Sequence, residues 1–265
     1  MQILYIMRHY CFSITLLLLV LSQVTFSQIE KKPITIGESF TINSEILNQD
    51  REIYVWLPQG YDTSKVSYPV HFLLDGEITF ISYCGISHIM SLAGQIPEAI
   101  IVGIPNINRD FDLSPKRNAN KFLEFIVDEL ATYIESEYRV NDQKIITGYS
   151  MAGNFVIYTF LKEHIYFDSY ISGSPYRLDL YNDDDLNIKH LESDKKVTLY
   201  ASMGDEDRSD QLEAYISFRD LLDQKALENL NFIFNIEEAK NHDTNIIPNW
   251  RNGLEYIYRH WKSSE

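Results

Sequence analysis

The sharpest chemical pattern in the sequence surrounds a serine, in the stretch Gly148-Tyr149-Ser150-Met151-Ala152-Gly153. The apolar run before it is predicted to be a buried strand, and residues 151–161 are predicted to form a helix. A serine on such a strand-to-helix turn has strained backbone angles, so small residues are needed two positions before and after it. Gly148 and Ala152 meet this requirement. The pattern indicates a nucleophilic serine, although an ordinary tight turn can have the same residues.

Partners for this serine follow two later predicted strands. A serine hydroxyl becomes a useful nucleophile when a base removes its proton, and a carboxylate must orient that base. Three carboxylates, Asp205, Glu206 and Asp207, follow one strand, and His242 follows the last strand. We expect His242 to be the base and Asp207 the acid, with Glu206 as the alternative acid. The chain order of serine, acid and histidine is the order known from enzymes whose nucleophilic serine lies on such a strand-to-helix turn.

Two backbone N–H groups are candidates for binding the negative oxygen of a tetrahedral intermediate, which needs pre-aimed donors. Met151 follows the serine at the start of a predicted helix and would supply the first. The second is expected at Glu77, where the strand ending at Leu74 turns through Asp75-Gly76. An Asp-Gly turn is also a common connection without any function.

The other histidines have simpler interpretations as packed or solvated side chains. No two histidines are spaced i, i+4, and no spaced set of cysteines and histidines occurs, so the sequence predicts neither a metal site nor a cofactor. The histidines set aside in this way are His9, His71, His88, His164, His190 and His260.

The strands that must position these groups alternate with helical stretches. This alternation is typical of the α/β class, with a mostly parallel central sheet covered by helices on both faces. The strands are mostly apolar along their length, as expected for strands buried on both sides. They are predicted over residues 39–47, 51–57, 68–74, 99–104, 144–148, 167–171, 197–201 and 232–236.

Three further helices are predicted from apolar residues that recur every three or four positions. No internal repeat or linker-like tract interrupts residues 28–265, which we expect to form a single domain. Two long irregular stretches, 105–117 and 172–196, are expected to be lids or binding loops. The helical stripes are Phe122, Ile126, Leu130 and Ile134, then Leu212, Tyr215, Ile216 and Leu222, and last Trp250, Leu254, Ile257 and Trp261.

Composition and charge exclude several classes of protein. The 265 residues are 45% hydrophobic and 23% charged, which is the balance of an ordinary globular protein. The formal net charge is -15. Such a field repels the phosphate backbone of nucleic acids and anionic membranes, so neither is expected as a partner. Nothing in the sequence indicates the oligomeric state.

Residues 1–27 have the pattern of a secretory signal peptide. Arg8 precedes an almost wholly apolar run over 12–21, and the small residues Thr25 and Ser27 suit a cleavage site before Gln28. The run is shorter than the roughly 20 apolar residues of a membrane anchor. We therefore expect an exported protein, periplasmic or secreted, without membrane attachment after cleavage.

Taken together, these residues resemble the putative esterase family of α/β-hydrolases, which includes enterobactin-type siderophore esterases, feruloyl and acetylxylan esterases and S-formylglutathione hydrolases. The resemblance implies an α/β-hydrolase fold and hydrolysis of a carboxylic ester of a small molecule through an acyl-enzyme, without a cofactor. It assigns the nucleophile, base and acid to Ser150, His242 and Asp207. The likeness spans most of the mature chain and is carried by residues 72–76, 102–106 with Arg109 and Pro115, 122–139, 148–153, 167–175, 204–207, and His242 with Trp250.

The sequence departs from the family pattern at two positions near the serine. Ala152 stands where the family usually has glycine, and Tyr149 stands where histidine is common. Alanine is small enough for the turn to form, and Tyr149 is a candidate for contact with the substrate. The family also contains siderophore esterases whose acid is weak or absent, which leaves a dyad of Ser150 and His242 open.

The resemblance allows two kinds of substrate. A siderophore trilactone with catecholate groups is anionic, and Arg109, Lys116 and Arg117 in one loop could bind it. The same three charges could instead balance Asp110 and Asp112, which would suit a general carboxylesterase. The sequence is also compatible with a feruloyl or acetyl polysaccharide esterase, and with a catalytically silent binding module on the same fold.

Overall fold

The computed structural model describes residues 30–162, 166–182, 185–186 and 196–262. The chain divides into two units between Thr35 and Ile36. The described part of the first unit, residues 30–35, is exposed and has no regular secondary structure. The expected signal peptide, His164, His190 and the aspartates at 183 and 184 lie outside the described residues. Within the ranges given, no helix is long and apolar enough to cross a membrane.

The second unit contains one eight-stranded sheet. Its strands are β1 (Glu38–Ser44), β2 (Gln49–Trp56), β3 (Tyr68–Leu74), β4 (Ile100–Ile104), β5 (Val140–Tyr149), β6 (Ser169–Gly173), β7 (Val197–Gly204) and β8 (Leu230–Glu237). The order across the sheet is β1-β2-β4-β3-β5-β6-β7-β8. β1 and β2 are antiparallel to their neighbours, and all other neighbouring pairs are parallel. The predicted mostly parallel sheet is confirmed.

Within the described residues, seven α-helices connect and cover the strands. They are α1 (Gly76–Leu92), α2 (Arg109–Asp112), α3 (Ala119–Glu124), α4 (Ala131–Glu137), α5 (Met151–Leu161), α6 (Ser209–Gln224) and α7 (Ile246–Ile257). A π-helical segment, Phe125–Leu130, joins α3 to α4. The apolar stripe predicted from Phe122 to Ile134 therefore lies on one continuous helix, whose middle part is π-helical.

Helices lie on both faces of the sheet and enclose two cores. Successive residues of a strand point to opposite faces, and β3 shows this directly. Phe72 and Leu74 belong to the larger core, which includes the buried residues of α3, α5 and α6. Leu73 belongs to the other core, together with Tyr83 of α1 and Trp250 of α7.

This architecture brings six strand ends to one edge of the sheet. β3, β4, β5, β6, β7 and β8 are mutually parallel through their neighbours, so their carboxyl ends meet there. Ser150 follows β5 and Ser174 follows β6 by one residue, while Asp207 and His242 follow β7 and β8. β7 extends to Gly204, three residues beyond its predicted end, and so brings the sheet closer to Asp207.

Candidate active site

The turn around Ser150 has the strained geometry that its sequence predicts. Ser150 has φ 60° and ψ -117°, a region that favours glycine and costs a larger residue free energy. A Cβ at Gly148 would lie 2.5 Å from the carbonyl oxygen of Ala152, which explains the need for glycine there. The Ser150 N–H donates to the Gly173 carbonyl oxygen at 2.8 Å. These contacts hold the serine at the junction of β5 and α5.

His242 lies beside the serine hydroxyl. Its Nε2 atom is 3.0 Å from Ser150 Oγ, a hydrogen-bond distance. The imidazole is 47% exposed, so a base at this position has access to solvent. The loop that carries it is folded locally, because the side-chain oxygen of Asn241 accepts from the N–H groups of Asp243 and Thr244.

Tyr149 supports the histidine and does not line the cavity, and its role in substrate binding stays a prediction. It is 8% exposed, and its ring centroid lies 5.4 Å from that of His242. The hydroxyl oxygen is 2.5 Å from the His242 carbonyl oxygen and 2.9 Å from Ser174 Oγ. The carbonyl can only accept, so the single hydroxyl proton points to it. Burial raises the pKa of Tyr149, which keeps this donor protonated.

Asp207 is the carboxylate that the structure places against the imidazole. Its Oδ1 atom is 3.5 Å from His242 Nδ1, and Oδ2 accepts from Ser174 Oγ at 2.9 Å and from the Gly204 N–H at 3.2 Å. Burial acts to raise the pKa of Asp207, but hydrogen bonds from His242, Ser174 and Gly204 outweigh it and the pKa lies below its usual value. Asp207 is therefore held as an anion beside His242.

The neighbouring carboxylates have other surroundings. Asp205 is exposed, and its Oδ1 accepts from the Lys240 N–H at 3.2 Å. Glu206 is exposed and lines the cavity, while its own N–H donates to the Lys240 carbonyl oxygen at 2.9 Å. Geometry thus favours Asp207 over Glu206 as the partner of the imidazole.

A buried polar cluster behind Asp207 was not predicted from the sequence. Ser174 has φ 34° and accepts from the side-chain amide of Asn245 at 3.1 Å. The same amide lies 3.2 Å from Ser202 Oγ, and the Asn249 amide lies 2.9 Å from that hydroxyl. A polar residue one position beyond the end of β6 was the available sequence signal. These side chains fix Ser174, and through it Asp207.

The predicted oxyanion donors have different positions. Met151 lines the cavity next to Ser150. Glu77 does not line it, and its carboxylate accepts from the Asn106 N–H at 3.1 Å. Among the turn, loop and cap hydrogen bonds of the described residues, none has the backbone N–H of Met151 or Glu77 as its donor. This is expected, because the first N–H groups of a helix have no partner within the helix. The role of Glu77 stays a prediction.

Arg109 lines the cavity, but its guanidinium is already bound within the protein. Nε and Nη2 each donate to the Asp75 carboxylate at 2.8 Å, and Nη2 also lies 3.2 Å from the carbonyl oxygen of Tyr149. The hydrogen bond to Asp75 raises the pKa of Arg109. Arg109 thus joins the turn after β3 to the residue before the nucleophile.

The other predicted anion-binding residues lie elsewhere. Arg117 is exposed and does not line the cavity, and its role in substrate binding stays a prediction. Lys116 is exposed and does not line the cavity either. Asp112 was predicted to balance the charges of the three cations in this loop, and this is wrong. Asp112 is buried and accepts from both terminal nitrogens of Arg51 at 2.9 Å. That pair is needed inside the fold, since an unpaired buried charge is costly.

The cavity beside Ser150 has a volume of about 540 Å³, within the range of small-molecule sites. Its charged lining residues are Arg109 and Arg208 against Glu206, Asp207 and Asp243. Arg208 is paired with Asp210 at 2.8 Å and is largely exposed. In the described ranges, no cluster of histidine, cysteine and carboxylate side chains could hold a metal ion.

Comparison with known proteins supports the same fold. The chain is 25% identical to an IroE-like serine hydrolase from Shewanella oneidensis, with a TM-score of 0.78 over 86% of this chain and 82% of that one. The BES protein from Bacillus cereus is 20% identical, with a TM-score of 0.76 over 86% of this chain and 99% of that one. The fold is that of the α/β-hydrolases, as the resemblance implied.

Sequence comparison identifies the family. The ferri-bacillibactin esterase BesA from Bacillus subtilis (strain 168) is 27% identical in an alignment of 161 residues, and the coverage is 48% of this chain and 55% of that protein. The match therefore spans about half the length of this curated relative. The putative esterase family model matches residues 44–252, which include Ser150, Asp207 and His242. The chain belongs to the putative esterase family.

Proposed function

We propose that this protein is a serine esterase that hydrolyses carboxylic esters through an acyl-enzyme. The observation that carries the proposal is the 3.0 Å contact between His242 Nε2 and Ser150 Oγ, at a strained turn that opens into the cavity. Membership of the putative esterase family supports it. Asp207 completes a triad by stabilising the imidazolium and holding its orientation.

The proposed reaction has two halves. Ser150 Oγ bonds to the ester carbonyl carbon while His242 Nε2 accepts the hydroxyl proton, and the carbonyl electron pair moves to oxygen. The intermediate then breaks its bond to the alcohol, which leaves with the proton from His242. In the second half, water attacks the acyl-enzyme, gives a proton to His242 and releases the acid, and the proton returns to Ser150.

Charge stabilisation in both halves is assigned to backbone donors. The N–H of Met151 lies at the start of α5, where the helix dipole also favours negative charge. We propose the N–H of Glu77, at the start of α1, as the second donor. Two such donors contribute several kcal/mol of transition-state stabilisation in acyl-transfer enzymes, on the order of 3 kcal/mol for one donor.

We propose that the protein is a general carboxylesterase. A siderophore trilactone is the more specific candidate substrate. The 27% identical relative named ferri-bacillibactin esterase supports the second. Both lining arginines are paired, but the Arg109–Asp75 pair is largely buried whereas the Arg208–Asp210 pair is largely exposed. An anionic ligand can therefore compete more easily for Arg208. The experiment measures kcat/KM of wild type and of Arg208→Ala for three substrates: an iron-free tricatecholate trilactone, p-nitrophenyl butyrate and methyl ferulate. A trilactone that is not hydrolysed while simple esters are would exclude the siderophore candidate.

Mutation of the nucleophile tests the central proposal. Ser150→Ala is expected to lower kcat for p-nitrophenyl acetate by about four to six orders of magnitude and to leave the fold intact. A fluorophosphonate probe should label wild-type Ser150 and not the variant. Retention of more than about a tenth of the activity would exclude Ser150 as the nucleophile, and an unlabelled, inactive but folded wild type would favour the silent binding module.

We also propose export with cleavage before Gln28, on the residues of the expected signal peptide. Expression in a Gram-negative host and mass spectrometry of the protein from the periplasm should give a first residue at Gln28. A protein that keeps residues 1–27 in the cytoplasm would contradict this.

A further inference from the structure

Helix α1 has an apolar outer face. Among the large apolar side chains of the described chain, five are at least 65% exposed, and Ile34 is the one outside this helix. The other four are Ile78 at 73%, Ile81 at 65%, Ile89 at 68% and Leu92 at 69%. Isolated exposed apolar residues are normal, but a contiguous row on one helix is typical of an interaction site.

The same helix has almost no charge. Glu77, in its first turn, is the one Asp, Glu, Lys or Arg residue among the 17 residues of α1, in a protein of formal charge -15. Two copies of such a protein repel each other over most of their surface. The outer face of α1 is a place where two copies can approach without bringing like charges together.

The spacing of the exposed residues is symmetric about Gly85. Ile81 and Ile89 lie four residues from it, and Ile78 and Leu92 lie seven residues from it. Positions four and seven residues apart share one face of a helix. Gly85 is exposed, and a Cβ built on it would have no atom within 4 Å. The four exposed apolar residues are therefore spaced equally on the two sides of Gly85. The open space at Gly85 leaves room for the backbone of a second helix.

We infer that this face is the contact between two copies of the chain. A two-fold axis through Gly85 would place two α1 helices antiparallel, so that Ile78 meets Leu92 of the second copy and Ile81 meets its Ile89. A two-fold interface requires a surface that is complementary to itself, and the symmetric row is such a surface. Glycine at the crossing point allows the backbones to approach closely.

A neighbouring groove extends the same surface. Ile78 and Ile81 line it together with Ile36, Tyr54 and Phe80. A membrane surface is a poorer occupant, because helices that lie on membranes have lysine and arginine on their polar face, and α1 has neither. We expect one helix face with a groove to bury less than the roughly 800 Å² per partner of a stable interface. The dimer is therefore expected to have a Kd in the micromolar range.

Analytical ultracentrifugation of the purified protein tests the contact. Wild type is expected to show reversible dimerisation between about 1 and about 100 μM. Ile81→Glu and Ile89→Glu each introduce a charge next to the proposed axis and should weaken dimerisation by at least about tenfold. Ile107→Glu is the matched control, because Ile107 is 61% exposed and lies outside α1, and it should dimerise like wild type. Thermal melts establish that all variants are folded.

Cysteine cross-linking tests the axis itself. Gly85→Cys should form an intermolecular disulfide under mild oxidation, since residues on a two-fold axis lie close to their own copies. Ser217→Cys, at an exposed position of α6, should not. A wild type that stays monomeric at 100 μM, a dimer unaffected by Ile81→Glu and Ile89→Glu, or equal cross-linking at both cysteines would overturn the proposal. None of these outcomes depends on esterase activity.

Discussion

The imidazole of His242 is half exposed, and its orientation therefore depends on a small number of contacts. Asp207 lies at Nδ1, Ser150 lies at Nε2, and Tyr149 packs on the ring while it donates to the backbone carbonyl. Asp207 follows β7, whereas Tyr149 and Ser150 lie at the end of β5. Loss of one contact should therefore affect the orientation of the base more than the stability of the fold.

Replacement of the acid tests this at the scale of one residue. Asp207→Asn is expected to lower kcat for p-nitrophenyl acetate by about 10⁴-fold, the loss found when a serine protease loses its orienting carboxylate. Asp205→Asn is the matched control, because Asp205 contacts the Lys240 N–H, and it should lose less than about tenfold. Similar small losses in both variants would mean that Ser150 and His242 act as a dyad.

At the scale of elements, the site depends on loops that are tied to one another. Arg109, at the start of α2, binds Asp75 after β3 and reaches the carbonyl of Tyr149 at the end of β5. It therefore sets the distance between the turn with the proposed second oxyanion donor and the turn with the nucleophile. Arg109 acts through these turns as a positioning residue.

Removal of this connection should affect kcat more than KM. Arg109→Ala leaves the buried Asp75 carboxylate without its cation and lets the two turns separate, and a displacement of about 1 Å at a reacting centre can cost about 10²-fold. We expect a loss of this order in kcat, with little change in KM. Arg117→Ala, which removes an exposed arginine from the same loop, should have no effect. A change confined to KM would instead mean that Arg109 binds the substrate directly.

The sequence predicted elements best where the signal is local. Ser150 is identified by neighbours within two positions, and the strand runs and the stripe from Phe122 are regular enough to place most of the sheet and one continuous helix. The extent of α1 could not be predicted, because its isoleucines, serines and glycine are weak helix formers. Apolar residues also lie on the exposed face of α1, so the helix lacks the pattern of one apolar inner face and one polar outer face.

The roles of polar residues were harder to predict, because they depend on distant partners. Arg109 and Tyr149 were expected to contact the substrate, and the structure also gives each a partner within the protein. Asp75 binds the first, and the His242 carbonyl oxygen accepts from the second. Those partners are 34 and 93 residues away in the chain. Residue type shows that such groups need a partner, and the tertiary structure decides whether that partner is the protein or a ligand.

At the scale of the whole molecule, one buried histidine links the sheet to both helices of the smaller core. His71 in β3 is fully buried. Its Nε2 lies 2.8 Å from the Tyr258 hydroxyl after α7, and its Nδ1 lies 3.1 Å from the Tyr83 hydroxyl of α1. Burial lowers the pKa of His71 from 6.5 to about 3, so the folded protein keeps this imidazole neutral.

The stability of the whole protein should therefore decrease in mild acid. Below pH 6.5 the unfolded chain binds a proton at His71 that the folded chain does not, so the free energy of unfolding falls as pH decreases from 6.5 towards 3. The slope approaches about 1.4 kcal/mol per pH unit for one group. Urea unfolding at pH 7.5, 6.5, 5.5 and 4.5, values on both sides of the ordinary histidine pKa of about 6.5, should show this slope. His71→Gln should flatten it, and an equal slope in the variant would assign it to other groups.

The backbone of Ser150 implies a trade-off between stability and activity. A residue other than glycine at φ 60° and ψ -117° costs on the order of 1 kcal/mol, and glycine would adopt these angles with less strain. Ser150→Gly is therefore expected to be inactive and yet more stable than Ser150→Ala by about 1 kcal/mol in urea unfolding; equal stabilities would mean that the turn stores no strain. Random mutagenesis selected only for thermal resistance should favour glycine at this position, whereas selection that also requires ester hydrolysis should keep serine and accumulate its stabilising changes elsewhere.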